Sequence, residues 1–119
     1  MSRRMIFQLI VIAVLLFVMS SFGFASNSEI RIGVLLPLSG SSAEYAYDIR
    51  RGMEIAVDIL REEGGIKIAG QTYDVRLIFA DTPDVEAGVS EAERLMKREK
   101  VHFLSGTFNS SIIMAVSTI

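Results

Sequence analysis

Residues able to do chemistry gather near the end of this chain. There the apolar run Val101-His102-Phe103-Leu104-Ser105-Gly106 leads through Thr107-Phe108-Asn109-Ser110-Ser111 into a helix-like segment that reaches Ile119. A strand ending in Gly, followed by Asn and two Ser residues, presents hydroxyls and free backbone N–H groups at a helix N-terminus, where carboxylates and phosphates bind. From spacing alone, plain helix capping is the favoured reading of Ser110 and Ser111. Other chemistry is scarce. His102 is the single histidine and stands between Val101 and Phe103, which predicts a structural or surface role inside a strand. With no Cys and no clustered carboxylates, a transition-metal site lacks ligands. The loop Leu38 to Ser42 lacks the G-x-G-x-x-G spacing and no P-loop run occurs, so dinucleotide and nucleotide cofactors are not expected. Binding without catalysis and without a cofactor is the chemistry this composition allows.

These residues need elements to position them. Glu29-Ile30-Arg31-Ile32-Gly33-Val34-Leu35-Leu36-Pro37 begins by alternating and ends as a continuous apolar run, the pattern of a strand buried on both faces of a parallel sheet. After the loop Leu38 to Ser42, the run Ser41-Ser42-Ala43-Glu44 has the form of a capping box. The helix it predicts carries Ile49, Gly52, Met53, Ala56, Val57 and Leu60 on one face and stops at Gly64-Gly65. Ile66-Lys67-Ile68 and Thr72 to Asp81 flank Ala69-Gly70-Gln71 as a short hairpin, which leads into a second main strand at Val75 to Ala80. Thr82-Pro83-Asp84 starts another helix, with Val85, Val89, Ala92, Leu95 and Met96 inward and basic residues late, where they complement the helix dipole. Val101 to Ser105 is a third strand, and Ser110 onward a third helix. Alternating strands and helices imply an α/β fold, a parallel sheet flanked by helices with right-handed crossovers. Ligands in such sheets collect at the carboxyl ends of the strands, which points to the loops Leu38 to Tyr45, Asp81 to Asp84 and Thr107 to Ser111. Tyr45 can line such a site or be a partly buried aromatic of the first helix.

The N-terminus sets the compartment. Met1-Ser2-Arg3-Arg4 is basic, Met5 to Met19 is apolar apart from Gln8, and Ser20, Ser21, Gly23 and Ala25 are small. This is the order of a secretory signal. Gly23-Phe24-Ala25 resembles a cleavage site, so residues 1–25 are expected to leave and the mature chain to start at Ser26; a retained membrane anchor is the alternative. The whole chain has 12 Lys and Arg against 14 Asp and Glu, and the signal removes only positive charge. A mildly acidic mature chain argues against a nucleic-acid partner. Without Cys, an exported domain this small must hold itself by packing alone.

A resemblance adds to this reading. Ile32-Gly33-Val34-Leu35-Leu36-Pro37-Leu38-Ser39-Gly40, Tyr45, Arg51-Gly52-Met53-Glu54-Ile55-Ala56-Val57-Asp58 and Gly64-Gly65-Ile66 resemble the start of the Leu/Ile/Val-binding protein family, the extracytoplasmic solute-binding receptors of branched-chain amino acid ABC transporters. The similarity continues through Asp81, Glu93-Arg94-Leu95 and Gly106 to Ser110-Ser111, across essentially the whole mature chain. It implies a two-lobed type I periplasmic binding protein fold, of which this chain would be part of the N-terminal lobe, residues 26–119. It also implies an amino-acid or amide ligand and a membrane permease as partner. The corner Phe108-Asn109-Ser110 would meet the ligand carboxylate through Ser110 and neighbouring N–H groups, with Ser111 beside it and Tyr45 lining the cleft. Arg61 replaces the Asn usual before Gly-Gly, and the loop after Asp81 is shorter than usual. Ser117-Thr118-Ile119 offers neither a Gly nor a Pro stop, so the chain is expected to be the N-terminal portion of a receptor. A sensory domain for amino acids, amides or urea is the alternative function, and a deliberately small exported domain the alternative organisation.

Overall fold

β1 (Ser28–Leu36) is the central strand because its second half is apolar at successive positions, so both of its faces have to be covered. A computed structural model describes residues 28–119, and the expected signal over residues 1–25 lies outside the described residues. β1 pairs in parallel with β3 (Gln71–Asp81) on one side and with β4 (Phe103–Gly106) on the other. β2 (Ile66–Ile68) adds antiparallel to the outer side of β3, giving the order β2-β3-β1-β4. Three helices make the connections: α1 (Ala43–Glu62), α2 (Val85–Lys97) and α3 (Ser110–Val116). The α/β expectation holds, with one antiparallel pair at the edge.

Alternation along β1 sends side chains to two different layers. Val34 and Leu36 are buried with Ala46 of α1, and Met53, Leu77 and Phe79 pack against them. Leu35 points the other way, into a cluster with Ala80, Ala92 and Leu95, flanked by Ile78, Val101, Leu104 and Val116. Gly33 lets α2 approach on this second side, since a Cβ there would stand 2.9 Å from side-chain atoms of both Leu95 and Leu104. Gly88 does the same between helices, because a Cβ there would come within 2.5 Å of Ile112 in α3. The inward face of α2 is therefore Gly88, Ala92 and Leu95, while Val85, expected inward, is exposed at the first turn.

α1 ends at Gly64-Gly65 as expected, at φ 89° and 83°, but differs from its expected form at its start and along its length. It starts one residue later than the capping box requires, with Ser42 as its N-cap, so the partner position three residues on holds Tyr45 instead of an acid. Ser42 consequently makes no side-chain cap bond. The helix is held instead by the Ser42 carbonyl, which accepts from Ala46 N at 3.1 Å. Its buried face is Ala46 and Val57, with Arg50, Met53 and Leu60 half-buried, whereas the expected inward residues Ile49, Gly52 and Ala56 are exposed. Arg61 pins the C-terminal end to β3: its Nε donates to Asp74 Oδ1 at 3.0 Å and its Nη2 to the Val75 carbonyl at 2.9 Å. The Asp74 hydrogen bond raises the already high pKa of this guanidinium, so the contact stays charged. Arg50 lies over the Phe79 ring, 4.7 Å from its centroid, and closes the β3 flank of the same helix.

The hairpin turn is tighter than the sequence suggests. Ile68 pairs with Gln71, so Gln71 belongs to the strand and the turn is Ala69-Gly70 alone, at φ 49° and 82°. Positive φ at both central residues is the geometry that matches the twist of paired strands.

Candidate functional site

The three loops expected to gather do so at the carboxyl ends of β1, β3 and β4. The first and second are tied where Ser39 N donates to Asp81 Oδ1 at 3.1 Å, and where Thr82 N donates to the Leu36 carbonyl at 2.9 Å. Tyr45, in the first turn of α1, and Phe108, after β4, tie the first loop to the third. Their rings stack nearly parallel, with centroids 6.4 Å apart and planes at 15°. Both remain accessible, Tyr45 at 65% and Phe108 at 56%, so Tyr45 is a rim residue and not a partly buried one.

Gly106 makes the corner possible. At φ 98° it lies against β1, and a Cβ there would run into the Leu35 carbonyl oxygen. The next residue, Thr107, is also in the left-handed region at φ 60°, which is unusual for a β-branched side chain. It is held there by a bond from its N–H to the Leu35 carbonyl at 2.8 Å. The consecutive positive-φ residues turn the chain out of the sheet and bring Phe108 back toward Tyr45.

Asn109 and Ser111 divide from Ser110 in their roles. Asn109 is the N-cap of α3, and its Oδ1 accepts from Ser111 N at 2.9 Å, so that pair satisfies itself. Ser110 is different: among the described residues neither its backbone N–H nor its hydroxyl has a protein partner, and the residue is exposed. The corner thus presents Ser110 two residues after Phe108, whose ring stacks on Tyr45. A shallow groove of about 180 Å³, lined by Leu35, Leu104, Gly106, Thr107, Ile113 and Val116, lies next to it. It is smaller than a ligand pocket of roughly 300–1,000 Å³.

His102 lies just before β4 and not within it. Its Nδ1 accepts from Arg31 N at 3.0 Å, and its own N–H donates to the Arg31 carbonyl at 2.8 Å. This is at the opposite end of the strands, so the histidine fastens the start of β4 to β1 and takes no part in the corner. Among the described residues no group of three or more His, Cys, Asp or Glu side chains is placed to hold a metal. Sequence reading missed Thr107 and Thr82. The signal for the first is the preceding Gly106. Thr82 is fully buried, and its hydroxyl has no partner among the described residues; no local pattern marks it.

A family model described as periplasmic binding protein matches residues 29–119, all but the first of the described residues. The chain belongs to this family. Leu/Ile/Val-binding protein homolog 7 of Brucella suis biovar 1 (strain 1330) is 33% identical over 94 residues, covering 79% of this chain and 23% of the relative. Among solved structures, the branched-chain amino acid transporter substrate binding protein LivJ from Streptococcus pneumoniae, in complex with isoleucine, superposes with a TM-score of 0.66 at 26% identity, over 76% of this chain and 25% of its own. A solute binding protein of an ABC transporter from R. palustris, in complex with benzoate, gives a TM-score of 0.61 at 27% identity, over 76% and 24%. The family's fold is the α/β arrangement described above, and this chain spans about a quarter of the length of the relatives it matches.

Proposed function

We propose that the chain contributes part of the N-terminal lobe, residues 26–119, to an extracytoplasmic solute-binding protein that delivers branched-chain or other amino acids to an ABC permease. The single observation carrying this reading is Ser110. It stands with an unpaired N–H and hydroxyl at the carboxyl edge of a parallel sheet, two residues after Phe108, whose exposed ring stacks on Tyr45. A ligand carboxylate accepts from both Ser110 donors, and charge on the acceptor makes each bond stronger than a neutral one. Phe108 and Tyr45 supply an apolar surface for the ligand side chain. Asn109 fixes the turn through Ser111 and so acts on the ligand only by placing Ser110. The resemblance to Leu/Ile/Val-binding proteins, and the isoleucine held by the pneumococcal neighbour, support the ligand class. Residues 1–25 act as a signal that is cleaved before Ser26, which N-terminal sequencing of the exported protein checks.

Binding on one wall of a cleft covers little of a ligand, whereas ligand sites enclose most of the ligand surface. Isothermal titration of isoleucine into the 119-residue chain is therefore expected to show affinity weaker than micromolar. In a full-length solute-binding protein carrying this chain, Ser110→Ala should weaken binding by about 1.5–3 kcal/mol, the range for a hydrogen bond to a charged group. Unchanged affinity would mean that Ser110 takes no part in binding.

A second reading is favoured by the Tyr45–Phe108 stack. A flat aromatic carboxylate fits two nearly parallel exposed rings as well as an aliphatic amino acid does, and the R. palustris neighbour holds benzoate. Parallel titrations with isoleucine and benzoate separate the two readings.

A further inference from the structure

His102 fastens β4 to β1 with two bonds of different kinds. Its backbone N–H donates to the Arg31 carbonyl at 2.8 Å, while its ring nitrogen Nδ1 accepts from Arg31 N at 3.0 Å. The first bond does not involve the side chain. The second exists only while Nδ1 keeps its lone pair, which assigns the ring as neutral with its proton on Nε2. A further proton makes both ring nitrogens donors, so two N–H groups then face each other and the Arg31 amide loses its acceptor. Histidine is the side chain whose ordinary titration falls between about pH 5 and 8, and this chain has one.

The surroundings do not compensate for that proton. Charged groups at this end of the sheet are Glu29 and Arg31 on β1, Asp74 and Arg76 on β3, Arg94 and Arg98 at the close of α2, and Glu99 and Lys100 in the turn before β4. The carboxylates are already engaged: Glu29 with Arg31 at 3.8 Å and Arg76 at 3.9 Å, Asp74 with Arg61 at 3.0 Å, and Glu99 with Arg94 at 3.0 Å. Among the described residues none of them pairs with the imidazole. A proton on His102 therefore joins Arg31, Arg76, Arg98 and Lys100 without an acid of its own. The lead-in to β4 is also under tension. Lys100 sits at φ 55°, a region that a non-Gly residue keeps only while neighbouring bonds hold it. Those bonds are Val101 N to the Leu95 carbonyl at 3.2 Å and Arg31 Nη1 to the Glu99 carbonyl at 2.8 Å.

We propose that His102 is a proton-operated clasp on β4. Neutral, it holds the start of the strand against Arg31; protonated, it lets the segment from Lys100 to Phe103 open away from β1 while the rest of the sheet stays paired. β4 spans only Phe103–Gly106, and its register with β1 begins at Ile32 with Phe103, the residue next to the clasp. The sign follows from counting protons. The opened segment takes a proton that the closed one excludes, so closure is complete above the titration range and is lost as pH falls through it. The same strand leads to Gly106 and the Ser110 corner, so acid acts on the corner's support from the opposite end.

Amide exchange of the full 119-residue chain, read residue by residue by NMR and corrected for the intrinsic effect of pH, reports opening at a single bond. From about pH 7.5 to about pH 5 the protection of the Arg31 amide should fall at least about fivefold. The Thr82 amide, bonded to the Leu36 carbonyl on the β3 side at 2.9 Å, is the reference and should keep its protection. His102→Asn offers Oδ1 in place of Nδ1 and does not titrate in this range, so it should hold the Arg31 amide equally well at both pH values. His102→Leu should show the low protection at both. The proposal fails if wild-type Arg31 protection is the same at the two pH values, if Thr82 loses protection in equal measure, or if His102→Asn keeps the wild-type pH dependence. A nitrogen NMR spectrum of the imidazole, unambiguous with one histidine, gives a second reading. Nδ1 should be unprotonated at the higher pH, and a proton found on it there overturns the clasp.

Discussion

The two faces of this sheet are built from similar apolar residues and end in different states. On the α2 side, Leu35, Ala80, Ala92 and Leu95 are all buried, with Leu104 and Val116 closing the cluster over the β4 half. On the α1 side, Val34, Leu36 and Ala46 are buried over the β3 half, while Phe103 and the outer stripe of α1 remain open. A hydrophobic pattern therefore specifies which surface is to be covered. Whether it is covered depends on how many helices are available to lie on it. Among the described residues two helices share one face and a single helix has half of the other.

The contrast is sharpest in the energetics of side-chain removal. Leu95 is fully buried, so Leu95→Ala should cost about 2–5 kcal/mol, read as a lowered urea midpoint at unchanged slope. A cost under 1 kcal/mol would mean that the α2 face is as loosely packed as the open half of the other. The helix starts give a smaller difference in the same sense. Asp84 Oδ1 accepts from Ala87 N at 2.8 Å, whereas Ser42 makes no side-chain cap bond. Asp84→Ala should destabilise by about 1 kcal/mol and Ser42→Ala by clearly less. Equal effects by thermal unfolding would erase that distinction between α2 and α1. At the lower end, Ile59 is half exposed on the open stripe, and Ile59→Ser should change stability by no more than about 0.5 kcal/mol in this chain. A loss comparable to that of Leu95→Ala would show that the stripe is already covered.

Much of this fold was legible because strand and helix periods differ. The alternating start and apolar end of β1, the apolar run Leu77 to Ala80 in β3 and the one-sided apolar face of α2 located the elements and their order. Capping was less legible. Asp84 and Asn109 cap as their types suggest, but the Ser41-Ser42 pair offered two starting frames, and the helix took the one without an acidic partner. The inward face of α1 was misread for a physical reason: Ile49, Gly52 and Ala56 are apolar or small, and spacing alone does not say which of two adjacent stripes faces the sheet, whereas Arg50 on Phe79 and Arg61 on Asp74 turn the helix toward β3. At the corner, Gly106 marked the end of the strand, whereas its close approach to β1, the positive φ of Thr107 and the separate roles of Asn109 and Ser110 depend on contacts with Leu35 and Ser111 that spacing does not reveal.

The two edges of the sheet carry a further consequence. β2 is three residues long, antiparallel, and closed at once by the Ala69-Gly70 turn, with Lys67 at its centre. A strand from another molecule finds little to pair with there, and a charge to bury. β4 is almost as short, but its outer edge has no partner among the described residues, and the apolar Phe103 stands at its start. Unwanted association through backbone pairing is thereby polarised. Among the described residues one margin is guarded by its own hairpin, and the other is the one open to backbone pairing.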